Sequence, residues 1–184
     1  MAAALAAGCA HAPAEPVAAR VAPAGLLKNA DFEAVASSGA HCPPSWGCSA
    51  HSNPHSYTFE LSSEDRARGR YLQVTRVKPE PWALALQWLH RPDLAGSRVR
   101  LSALVNGEFL DGKAGVLIHV RGPSGTLLDR RKALLGRAPG WRRLSVEIDV
   151  AAGVERVEFG LVVEGGGRAG FDDVEALVLP PAGA

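Results

Sequence analysis

SRVRLSALVNG, residues Ser97–Gly107, decides how this chain is read. Val99, Leu101, Ala103 and Val105 fall on one side, with Arg98, Arg100 and Ser102 opposite. A period of two is the mark of a strand with one face in a core and one in water. The same alternation recurs on both sides of it. RYLQVTRV (Arg70–Val77), WALALQWLH (Trp82–His90) and AGVLIHVRG (Ala114–Gly122) carry it, as do GWRRLSVEIDV (Gly140–Val150), ERVEFGLVVEG (Glu155–Gly165) and GFDDVEALVL (Gly170–Leu179). Turn residues punctuate the runs: NGEFLDGK, RGPSG, RAPG, AAGV and EGGGRAG. No stretch of ten residues shows a helical stripe, and EDRARG (Glu64–Gly69) has room for one helical turn. Short strands at this spacing predict an all-β sandwich or barrel in a single domain.

The chain has 184 residues, 47% of them hydrophobic, and a formal net charge of +1. That balance gives no charge excess to attract nucleic acid or an anionic membrane surface. No apolar run approaches the roughly 18 residues of a spanning helix. Residues 1–8 are apolar and small and precede Cys9; LAAGC, Leu5–Cys9, resembles the lipobox of bacterial lipoproteins. That resemblance implies a signal segment over 1–8, lipid on Cys9, and a place in the bacterial cell envelope. Ala10 lacks the Asp that marks inner-membrane retention in some bacteria, so the outer membrane is expected. Residues 9–25 are rich in Ala and Pro and bury too little to offset their ordering entropy, which reads as a disordered tether. The domain is expected over 26–180, with a tail at 181–184.

The two ends of the domain bear on the family. LLKNADFE (Leu26–Glu33) stands near its start and GRAGFDDVEALVL (Gly167–Leu179) near its end. Between them lie GRYLQVTRV, LQWLHRPDLAGSRVRLSALVNG and GWRRLSVEIDV, in that order. Together they resemble the galactose-binding-like jelly roll of carbohydrate-binding modules attached to bacterial glycoside hydrolases. That family opens on Asn-x-x-Phe-Glu, has a Trp before its penultimate strands, and closes on an aromatic-Asp-Asp-Val strand. The resemblance implies a jelly-roll β-sandwich of two antiparallel sheets and non-catalytic binding of a glycan. It also implies a structural calcium where the first and last strands meet. By position, Glu33, Asp172 and Asp173 would be its side-chain ligands, with carbonyls near Lys28 helping. Such oxygens suit calcium, which tolerates irregular geometry. The plainer alternative is that Asp172 and Asp173 cap a turn or pair with an arginine.

Sugar recognition needs an aromatic platform and planar polar side chains. The candidates are Trp46, Trp82, Gln87, Trp88, Asn106, His119 and Arg121. Trp82 and Trp88 share a face of their strand, which puts Gln87 opposite. Trp141, after Pro-Gly, reads as core or as a plug at a strand end. A different class of function is a structural or protein–protein interaction module tethered to the envelope, with an envelope protein as partner. No catalytic pattern is present: no Gly-x-Ser-x-Gly, no phosphate-cradling loop, no His-Glu-x-x-His.

HCPPSWGCSAHSNPHS, His41–Ser56, holds two cysteines and three histidines. As ligands they are a zinc-type donor set. With Cys9 taken by lipid, the other two cysteines lie outside the inner membrane, where disulfides persist. A Cys42–Cys48 bridge is therefore expected, stiffening a loop that presents Trp46 at its tip.

Overall fold

The computed structural model describes residues 25–35 and 41–179; Cys9, the signal segment, the tether and the tail lie outside them. Eight strands follow in order: β1 Gly47–Ala50, β2 Tyr57–Ser62, β3 Tyr71–Arg76, β4 Trp82–His90, β5 Arg98–Arg121, β6 Leu127–Leu135, β7 Ala138–Asp149 and β8 Arg156–Leu179. Single 3₁₀ turns, each opening on a proline, precede β2, β5 and β6, as proline's fixed φ favours.

The fold is a jelly-roll β-sandwich with antiparallel pairing throughout. Strands β5 and β8, 24 residues each, run the length of the molecule and serve both layers. The first half of β5 (from Arg98) and the second half of β8 (to Leu179) pair with each other, with β7 and β3 outside them and β2 beyond β3. The other halves pair again, flanked by β4 and β6, with β1 beyond β4. Each layer therefore has five strands.

The sequence predicts two strands where each of these long ones runs, because NGEFLDGK and EGGGRAG read as turns. They instead lie side by side, Phe109↔Arg168 through Lys113↔Glu164, and bend together from one layer into the other. Glycine permits the bend: Gly165 and Gly167 have φ of 84° and 86°, and a Cβ on Gly167 would strike the Phe109 carbonyl and the Asp111 amide. Strands β1 and β6 carry no usable alternation, whereas β2 does alternate, with Tyr57 and Phe59 buried and Thr58 and Glu60 outward; β6 is an edge strand, largely exposed, so no core face writes a pattern into it.

The alternating apolar faces meet in the core. Leu72, Val74, Val99, Leu101, Val105 and Phe171 come from one layer, and Val116, Ile118, Val120, Phe159, Leu161 and Val163 from the other. Full burial of such side chains stabilises by about 1.5–3 kcal/mol each. Residues 26–33 close one end: Leu26 N–H donates to the Ala176 carbonyl and Val174 N–H to that of Ala30. Phe32 is fully buried there, at a φ of 56° that a packed environment must enforce.

Cys42 and Cys48 form the expected disulfide, with Cα atoms 5.7 Å apart. The loop does not display Trp46, which is 6% exposed. Its indole N–H donates to the Asn29 carbonyl at 3.0 Å and its ring packs on Phe32, 5.3 Å between centroids. The staple therefore seals the core.

Candidate functional site

The outer face of the β2–β3–β8–β5–β7 layer holds a cleft of about 340 Å³. Its floor, Gln73, Gly170 and Asn106, follows from register, and Trp141 continues the row beside it. Gln73 on β3 pairs with Gly170 on β8, Gly170 with Asn106 on β5, and Asn106 with Trp141 on β7. Residues directly opposite in antiparallel strands point to the same face, so four strands present Gln73, Gly170, Asn106 and Trp141 as one row. The Tyr71 and Trp141 rings meet edge to face across Gly170, 5.2 Å between centroids at 83°. A Cβ on Gly170 would lie 3.0 Å from the Trp141 ring and 3.3 Å from that of Tyr71. Glycine lets the two rings close over the strand.

The rim is polar and aromatic. The β2–β3 loop supplies Glu64 and Asp65, the bend of β5 supplies Glu108 and Phe109, and β8 supplies Arg168. The Trp141 indole N–H donates to Asp65 Oδ2 at 2.9 Å. The Arg168 guanidinium lies 4.5 Å over the Phe109 ring and donates to Glu64 Oε2 at 3.4 Å. Phe109 is 54% exposed. The Asn106 side-chain oxygen accepts from Glu108 N–H at 3.0 Å, holding the bend beside the floor. The cleft thus combines an exposed ring, Phe109, and the buried ring of Tyr71 with amides and carboxylates that can meet hydroxyls.

Of the ligand candidates read from sequence, only Asn106 lies here. Gln87 is buried and tied to the backbone, accepting from Lys28 N–H at 3.1 Å and donating to the Lys28 carbonyl at 2.7 Å. Trp82 sits beside His51, 5.5 Å between centroids. Trp88, 56% exposed, lies on the outer face of the opposite layer, as do His119 and Arg121. His119 and Arg121 surround Glu158: His119 Nδ1 is 3.2 Å from Oε2, while Arg121 Nε and Arg156 Nη2 are 2.7 and 2.8 Å from Oε1. Burial alone would raise the Glu158 carboxyl, but the hydrogen bonds and charges of these partners hold it down at about 2.

Tyr71, Gln73 and Phe109 line the cleft and are passed over by single-strand reasoning; Trp141 stands beside the lining, against Tyr71. Tyr71 and Trp141 are far apart in sequence, and only register brings them together. The usable signal was Trp141 at a strand start with polar outward neighbours.

The calcium expectation meets a different arrangement. Glu33 Oε1 accepts from Arg70 N–H at 2.9 Å. The carboxylates of Asp172 and Asp173 converge on a guanidinium: Arg68 Nε donates to Asp172 Oδ2 at 3.1 Å and Nη2 to Asp173 Oδ2 at 2.7 Å. Burial, foremost, pushes the Asp172 carboxyl up to about 6, with Arg68 opposing. The Lys28 carbonyl is taken by Gln87. Among the described residues no three His, Cys, Asp or Glu side chains gather to hold a metal ion. As placed, these side chains do not fit calcium.

One cluster has the composition of a nucleophile relay. Ser52 Oγ lies 2.7 Å and Glu80 Oε1 3.3 Å from His51, but both meet the same nitrogen, Nδ1. A relay needs the carboxylate and the hydroxyl on opposite ring nitrogens, so this set is not assembled.

No protein-family model matches the chain, and no curated protein matches it. Solved structures do. The enzymatically active domain of bacteriophage CBA120 tailspike protein 4 superposes with a TM-score of 0.61 at 12% identity, over 84% of this chain and 21% of that one, so this chain spans about a fifth of its length. A putative sugar binding protein from Bacteroides thetaiotaomicron gives 0.58 at 13%, over 84% of this chain and all of that one. A xylan-binding domain of carbohydrate-binding module family 22 gives 0.60 at 15%, over 84% and 96%. The likeness establishes the fold, the curled antiparallel jelly roll of carbohydrate-binding modules.

Proposed function

We propose that this protein is a non-catalytic glycan-binding module whose ligand lies across the Gln73–Gly170–Asn106–Trp141 row. The observation behind the reading is the Tyr71–Trp141 pair closed over Gly170, with amides and carboxylates around it. Stacking on a ring supplies affinity, and planar polar groups supply orientation. The resemblance of solved structures named for sugar and xylan binding supports the ligand class. Fold alone does not assign function, so the site's geometry is the argument.

Affinity electrophoresis and calorimetry against a panel of soluble polysaccharides test it. Trp141→Ala should weaken binding at least about fivefold, consistent with loss of roughly 1–3 kcal/mol of ring contact. Trp88→Ala, on the opposite layer, should leave binding within twofold of the parent. Binding lost with Trp88 and kept without Trp141 overturns the site assignment. No glycan binding, together with one stoichiometric partner from an envelope extract, would favour the interaction-module reading instead.

We further propose that the module is held at the bacterial cell envelope, at the outer membrane, through lipid on Cys9. The support is the LAAGC segment and the Ala/Pro-rich stretch after it. More than one acyl chain is needed for a stable anchor, each buried CH₂ contributing about 0.8 kcal/mol. Expression behind a functional lipoprotein signal sequence should give protein that partitions into detergent; Cys9→Ser should release it to the aqueous phase.

A further inference from the structure

We infer that Arg68 does here the work of a structural metal ion, tying the β2–β3 loop to a bulge of β8 and setting the Trp141 ring beside the cleft. Asp172 and Asp173 are consecutive on β8, where two residues, Asp173 and Val174, stand opposite the single Ala103 of β5. A bulge of this kind turns successive side chains toward one point. Asp173 sits at a φ of 47°, and its N–H donates to Asp172 Oδ1 at 2.8 Å. Two adjacent carboxylates, one of them buried, require a positive partner in a low-dielectric place. Arg68 reaches both with Nε and Nη2, the fork geometry suited to paired oxygens. Arg143 supports the outer side, donating to the Asp173 carbonyl at 3.3 Å.

The same guanidinium also meets the ring beside the cleft. Its Cζ lies 5.3 Å from the Trp141 ring centroid, within reach of a cation–π contact. The indole N–H is held by Asp65 from the same loop, three residues before Arg68. One loop therefore fixes Trp141 at face and edge, and Arg68 fixes the loop to β8. A calcium ion would supply the charge but neither the planar fork nor the ring contact. Arg68 is a positioning residue; no ligand contact is assigned to it.

Differential scanning calorimetry and near-ultraviolet circular dichroism test this without any glycan, so its failure is separate from failure of the binding reading. The intact chain should melt within about 1 °C of the same temperature in millimolar calcium and in chelator. Arg68→Ala should melt roughly 5 °C lower or more and lose near-ultraviolet tryptophan intensity. That spectral loss should vanish when both proteins also carry Trp141→Phe, which assigns it to this ring among four tryptophans. Arg68→Lys, keeping the charge without the fork, should recover part of the melting temperature. Calcium raising the parent's melting temperature by several degrees overturns the inference, and needs no variant to fold. So does an Arg68→Ala protein with the parent's stability and spectrum.

Discussion

Glu158 shows how an outward-pointing residue of the layer opposite the cleft contributes to stability. It lies on the outer face of β8, yet is only 7% exposed because His119, Arg121 and Arg156 close over it. Its carboxyl is held near 2, below the ordinary 4.5. In acid the unfolded chain therefore binds this proton before the native protein does. The stabilisation, roughly 3 kcal/mol by linkage, is present above pH 4.5 and is lost as pH falls from about 4.5 toward 2. Glu158→Gln should flatten that part of the stability-against-pH curve and lower stability at pH 7, measured by urea unfolding at each pH. Glu158 and His119 alternate with apolar residues in ERVEFGLVVEG and AGVLIHVRG, but no local signal announces that two arginines and a histidine converge on one carboxylate. Convergence across β5 and β8 is a matter of register.

Individual elements show where local patterning suffices and where it misleads. The Cys42–Cys48 bridge was legible because the spacing is short and the thiols had few other uses. Closing about seven residues contributes roughly 2 kcal/mol in the chain-entropy model. A Cys42→Ser, Cys48→Ser protein should melt about 4–8 °C lower and show raised Trp46 exposure by fluorescence quenching, since the loop presses that ring onto Phe32. Trp46 was expected outside because a stapled loop ordinarily displays its tip; its indole found the Asn29 carbonyl of a segment 17 residues earlier. The long strands were misread at their bends for a related reason. Clusters of glycine mark a turn, but they also mark two backbones in close approach. Gly167→Ala separates the two meanings. Positive φ strains alanine in either case, but against the Phe109 carbonyl Gly167→Ala should cost about 2 kcal/mol or more, and clearly more than Gly153→Ala, which shares the positive φ with open space around it, read from denaturant midpoints.

The whole molecule is a sandwich in which one layer carries a cleft and the other closes the core beneath it. With a formal net charge of +1 and a site built from rings, amides and carboxylates, long-range attraction has little part in recognition. Glycan affinity should change less than about twofold between 50 and 500 mM salt, a range over which charge-driven binding falls steeply; isothermal titration at the two concentrations decides it. Fold class and the disulfide were determined by the sequence itself, because alternation, turn residues and cysteine spacing are local and each element records its own environment. The jelly-roll topology came from the order of motifs along the chain. The cleft belongs to the tertiary structure alone. Gln73, Gly170, Asn106 and Trp141 form a row only when β3, β8, β5 and β7 pair in this register, and a slip of one residue would turn each side chain to the opposite face. The partner of Asp172 and Asp173 was decided in the same way. Two neighbouring carboxylates require a cation, but only the path of the β2–β3 loop puts the Arg68 guanidinium between them.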